Sequence, residues 1–172
     1  MAYCRKYASD LLGLALIDTK AEADTAQGKD GRQKMIELVR SKGSAAVAEQ
    51  MMPKMLAAAS IESQAQVRQK LEQMMSDCPP LTIEHALAAM RDRDDYASHI
   101  PSIAVPVLVM VGESDAITPT AGAKAMSEAA RRSSYVEVAA AGHMSPMEQP
   151  RAVSEALRRF VTEQVHVAPA ES

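Results

Sequence analysis

A chain of 172 residues, 47% of them hydrophobic, is long enough for one domain with a useful core. Its net charge of −3 comes from 19 basic and 22 acidic side chains mixed along the sequence. That excludes the basic footprint of a nucleic-acid binder, and no apolar run approaches the ~20 residues of a membrane span.

Two isolated cysteines, Cys4 and Cys78, form neither a zinc spacing nor a disulfide framework and suit a reducing cytoplasm. The N-terminus is basic at Arg5 and Lys6 but lacks the sustained apolar stretch of a secretory signal.

Residues 2–9 read as a short helix. Residues 11–17 read as a strand whose nearly continuous apolar run implies burial on both faces. The polar stretch 19–30, with Asp24, Gly28, Asp30 and Gly31, reads as a loop. Met35, Ile36, Leu38 and Val39 then begin a helical stripe that Gly43 ends. A second helix spans about 44–57, with Val47, Met51 and Met55 spaced by four, and a third spans 62–76 until Cys78-Pro79-Pro80 breaks it. A fourth starts near Thr82 and runs into the charged residues 91–95. There acids alternate with arginines, so the run reads as a solvated helix end rather than a metal site. A strand at 105–111, a helix near 120–131, a strand around 135–138 and a helix at 150–164 complete the pattern, followed by a flexible tail at 166–172. Strand–helix alternation predicts parallel pairing in an α/β fold.

Methionine occurs 12 times while aromatics make up 3% of the chain. Methionine is flexible and fills irregular gaps, so it suits a compliant helical core. Met51, Met52, Met55, Met74 and Met75 would otherwise form an adaptable apolar pocket or a dimer face.

Two loops carry the chemistry. The run Val105-Pro106-Val107-Leu108-Val109-Met110-Val111 ends in Gly112-Glu113-Ser114-Asp115-Ala116-Ile117-Thr118-Pro119, and the strand around 135–138 ends in Ala141-Gly142-His143-Met144-Ser145-Pro146-Met147-Glu148. Taken singly, Asp115 and His143 are ordinary loop residues. Their spacing of 28 is right for one intervening helix and strand, which would bring them together at neighbouring strand ends. An imidazole can then act as general base, with the carboxylate orienting the ring and stabilising the imidazolium. His85 and His99 read as packing or surface residues.

The pattern strand–Gly-x-x-Asp-x-x-x-Pro, helix, strand–Gly-His-x-x-x-x-Glu resembles the C-terminal part of the α/β-hydrolase fold, and of its esterases and lactonases in particular. That family orders its triad Ser, then Asp or Glu, then His, with the Ser in a Gly-x-Ser-x-Gly elbow. The resemblance implies a truncated α/β-hydrolase fold, with about three parallel strands, flanking helices and an inserted helical cap. Residues 1–18 and 101–165 would form the partial core and residues 19–100 the cap. It also implies that Asp115 is the acid, that His143 is the base, and that the chain begins just after the elbow.

No Gly-x-Ser-x-Gly occurs, and the weak substitutes are Ser114 and Ser145. Attack on the ester by water that His143 activates, by one of these serines, or by a group from another polypeptide that completes the site are the three physical routes left. The expected activity is carboxylic-ester hydrolysis of small apolar acyl substrates, needing no metal or cofactor. The alternative is a non-catalytic module that self-associates or completes its site with a partner chain. With the elbow strand absent, the edge of the strand at 11–17 should be covered by a second copy of the chain.

Overall fold

A computed structural model describes residues 1–165; the expected flexible tail at 166–172, with His166, lies outside the described residues. In chain order the elements are α1 (Ala2–Lys6), β1 (Leu14–Ile17), α2 (Ala26–Met55), α3 (Ala58–Ser63), α4 (Ala65–Ser76), α5 (Pro80–Arg91), β2 (Val107–Gly112), α6 (Thr120–Ala129), β3 (Ser133–Val138), α7 (Ser145–Glu148) and α8 (Pro150–Gln164). Short 3-10 turns occupy Ala8–Asp10 and Ala97–Ser102.

The three strands form one parallel sheet in the order β1-β2-β3. Leu14 stands opposite Val107 and Val107 opposite Ser133.

Every residue of β2 is buried. Alternation along a strand sends neighbouring side chains to opposite faces, so this one run builds two cores. Val107, Val109 and Val111 pack with Cys4, Leu16, Ile100 and the α6 residues Ala123 and Met126. Leu108 and Met110 pack on the other face with Val153, Ala156 and Phe160 of α8.

The expectation that β1 is buried on both faces is corrected. Leu16 is buried but Ala15 is exposed, because β1 is an edge strand and α8 packs over β2 and β3. The strand is also shorter than its apolar run, starting at Leu14.

Between β1 and β2 the chain forms four helices that pack on one another and over the carboxyl ends of the strands. The expected loop at 19–30 is cut short: α2 begins at Ala26, with the Thr25 hydroxyl as cap accepting from Gly28 N–H at 3.1 Å. Gly28 and Gly31 therefore lie inside a helix, where their low propensity is outweighed by the cap and by tertiary packing. The stop expected at Gly43 is a kink. Its φ of 78° and ψ of −177° interrupt an otherwise continuous run of α2. The helix expected at 62–76 divides into α3 and α4 at Gln64, whose N–H donates to Ser60 O. Pro80 opens α5, where its missing N–H has no helical partner to lose.

The kink yields a stability prediction. The Gly43 backbone lies in a region that is essentially glycine-only, so Gly43→Ala should cost roughly 1–3 kcal/mol. Gly122→Ala, at an uncrowded position in α6, should instead gain about 0.5–1 kcal/mol. Urea unfolding midpoints of the two variants should move in opposite directions.

Candidate active site

Each parallel strand ends in a tight loop, and carboxylates hold the loops after β2 and β3 by their backbone amides. After β2, Asp115 is buried and accepts at Oδ1 from Ile117 N–H and Thr118 N–H, both at 2.8 Å. Its Oδ2 accepts from the Thr118 hydroxyl at 2.6 Å and faces His143 Nδ1 at 2.9 Å. A carboxylate can only accept here, so Nδ1 carries the proton. In the neutral ring this leaves Nε2 as a free acceptor. Thr118 Oγ1 lies 3.4 Å from Nδ1, within reach of the same proton.

The Asp115 side chain is 0% exposed and that of His143 21%, so the ring reaches solvent while its anchor does not. Burial pushes the Asp115 carboxyl up, but hydrogen bonds from His143 and Thr118 outweigh it and hold the group below its ordinary range.

After β1, Asp18 takes a left-handed backbone (φ 45°). Its Oδ1 accepts from Gly112 N–H at 3.0 Å, and its Oδ2 accepts from Ser145 N–H at 3.0 Å and the Ser145 hydroxyl at 2.7 Å. Burial raises the Asp18 carboxyl above its ordinary value despite these donors, and the Asp115 charge adds to the rise.

After β3, Glu148 of α7 folds back. Oε1 accepts from Gly142 N–H at 2.7 Å and Oε2 from Ala57 N–H at 2.8 Å. One side chain thus ties the histidine loop to the inserted helices. Gly142 permits this approach, since a Cβ there would lie 2.5 Å from Ala57 N and 2.7 Å from Leu56 C.

Asp115 and His143 are therefore brought together, and the two serines are not brought to them. Ser145 is completely buried with its hydroxyl committed to Asp18, so it presents no nucleophile at the mouth of the site. Ser114 is exposed, and its N–H donates to Ala141 O at 2.8 Å. Among the described residues no side chain hydrogen-bonds to Nε2 of His143.

A cavity of about 440 Å³ opens beside His143, bounded by Thr118 and Ile117 below and by the inserted helices above. Met51, Met55 and Met75 line it with Met35 and Met90, where the sequence favoured a compliant helical core over a pocket; Met52 is not in the lining and Met74 is exposed. The charged run at 91–95 is not wholly a solvated helix end. Arg93 lines the cavity, together with Lys20 and Arg32.

Sequence reasoning missed Asp18, Thr118 and this cationic group, and it held Glu148 in the Gly-His-x-x-x-x-Glu pattern without a role. Asp18 carried a usable signal, since it follows a strand as Asp115 does.

The model of the Ndr family matches residues 1–164, and the chain belongs to that family, which has the α/β-hydrolase fold. Its structure is similar to a malate-bound thermophilic esterase from Thermogutta terrifontis, with a TM-score of 0.92 and 36% identity, covering 96% of this chain and 61% of that one. It shares its fold with the enol-lactonase from Burkholderia xenovorans (TM-score 0.85, 23% identity, 94% and 60% covered). The fold is likewise that of an esterase from Exiguobacterium antarcticum (TM-score 0.80, 20% identity, 94% and 62% covered). This chain thus spans about three-fifths of the length of these enzymes. No curated protein matches it.

The two aspartates should have opposite acid behaviour. Asp115 titrates below its unfolded value of 3.8, so its contribution to stability is complete above that pH and is lost as pH falls through the folded value. Asp18 titrates above 3.8, so the fold favours its neutral form, an advantage lost as pH rises through its folded value. The stability gap between wild type and Asp115→Asn should therefore narrow between about pH 5 and pH 3 in urea titrations. Glu148→Gln sets an amide donor against Ala57 or Gly142 N–H and should cost about 1–3 kcal/mol. Faster hydrogen exchange at those two amides would accompany it.

Proposed function

We propose that this chain carries the acid–base pair of a carboxylic-ester hydrolase, with His143 as general base and Asp115 as the carboxylate that orients it. The observation that carries this reading is the 2.9 Å Nδ1–Oδ2 bond at the mouth of the 440 Å³ cavity. The bond fixes one tautomer and points the basic nitrogen away from its anchor. The esterase and lactonase neighbours support the reaction class, and the methionine walls fit a small apolar acyl group.

On this reading residues 19–100 act as the cap over the site. With Ser145 bound to Asp18, attack falls to water activated at Nε2 or to a hydroxyl from outside these 172 residues. The free thiols Cys4 and Cys78 fit a reducing cytoplasm. No helix among the described residues is long and apolar enough to cross a membrane.

Hydrolysis of short-chain p-nitrophenyl esters tests the reading. His143→Ala should lower kcat/KM by about 10²-fold or more, the scale of general-base catalysis. Asp115→Asn, which disturbs the tautomer, should also lower it. Equal rates for wild type and His143→Ala would remove the base from the mechanism.

A second reading, a module that self-associates, rests on the β1 edge. The backbone of β1 bonds to β2 on one side, and the exposed Tyr3, Tyr7 and Leu12 lie just before it in sequence. We propose that a second copy covers this edge. Light scattering at micromolar concentration should give the dimer mass, with Ala15→Pro shifting it toward the monomer; a wild-type monomer would count against this pairing.

A further inference from the structure

The cavity beside His143 is lined by cations as well as by methionines. Lys20, Arg32 and Arg93, which come from the segment after β1, from α2 and from the segment after α5, line the same space as the methionines. They share one buried carboxylate, Asp24: Lys20 Nζ lies 2.7 Å from Oδ1, Arg32 Nε 3.0 Å from Oδ2, and Arg93 Nη2 3.9 Å from Oδ1.

The other nearby acids are otherwise engaged. Asp18 also lines the cavity, but Gly112 and Ser145 supply its donors. Asp95, exposed on the segment after α5, accepts from Ala23 N–H and Ala97 N–H. Three cations against Asp24 and Asp18 leave the cavity one positive charge in surplus. Arg93 Nε is moreover buried with no hydrogen-bond partner among the described residues. That nitrogen is closed to water and so to a ligand in the cavity, and the same guanidinium donates from Nη2 to the Glu22 carbonyl, which leaves its other donors for the cavity. Lys20 and Arg32 also border a second cavity of about 350 Å³, so this cationic wall stands between two open spaces.

The geometry points to a carboxylate subsite: the cavity takes an acyl ester whose acyl chain carries one negative charge, held by Arg93, Arg32 and Lys20. This deepens the hydrolase reading and rests on it for the ligand's being an ester. A planar guanidinium meets a carboxylate with paired, charge-assisted donors, which favours such a substrate over a neutral one of the same shape. The methionines then enclose the short methylene chain between the charge and the carbonyl.

The test uses two amides that are not turned over, N-ethylsuccinamate and N-ethylbutyramide, alike except that a carboxylate replaces a methyl group. Calorimetric titration of the wild-type chain should find the anionic amide bound about tenfold tighter or more. The preference should fall to within about threefold in Arg93→Gln or Lys20→Met. Equal affinities in the wild type would overturn the subsite without any variant, and so would a preference that survives in both variants. Monoethyl succinate and ethyl butyrate are assayed alongside. Amide preference without hydrolysis of either ester keeps the subsite and defeats the hydrolase reading. His143-dependent hydrolysis of both esters without amide preference does the reverse.

Discussion

Where a parallel strand ends, its chain leaves the hydrogen-bonded ladder, and the backbone N–H groups of the following loop need acceptors. In this protein buried and half-buried carboxylates supply them. Asp18 accepts from the ends of the other two strand loops at Gly112 and Ser145; Asp115 accepts from Ile117 and Thr118 of its own loop; Glu148 joins Gly142 to Ala57. The exposed Glu113 does the same for Ala140 N–H at 3.0 Å, where the backbone turns through a φ of 54°. The three loops are therefore bonded to one another and to the inserted helices, which holds the imidazole of His143 in one place.

Those carboxylates fall into different electrostatic situations although they lie close together. Asp115 meets an imidazole and a hydroxyl, so its charged form is favoured. Asp18 meets uncharged donors and the field of Asp115, so burial prevails. One group thus faces the imidazole as a carboxylate, and the other holds backbone. Asp24 is a third case, a buried acid held below its ordinary range because hydrogen bonds from Lys20 and Arg32 outweigh its burial. Lys20, Arg32 and Arg93 stand together because Asp24 gathers them.

Much of this was readable from residues 105–148. A continuous apolar run, a Gly-x-x-Asp loop, a helical interval and a Gly-His loop leave few arrangements other than two adjacent parallel strands with their acid and base side by side. Gly43 was readable as an interruption because a glycine between two helical stripes has a local meaning. The extent of α2 was not, since Gly28 and Gly31 argue locally against a helix that its Thr25 cap and packing impose. The short helix α7 was hidden for the same reason. Four residues carry little periodicity, and its function is to aim Glu148 inward at a strand loop and a helix end distant in sequence.

The sequence by itself determined the α/β class, the parallel pairing of the strands and the pairing of Asp115 with His143, because each follows from local pattern or from the spacing between neighbouring strands. Tertiary structure alone decided that Ser145 is buried against Asp18, that Ala15 lies open on an edge strand, and that Arg93 turns toward a cavity with Lys20 and Arg32. Those outcomes depend on partners up to 127 residues away in the chain. A side chain's burial and charge environment is set by what packs against it, and periodicity carries no information about that.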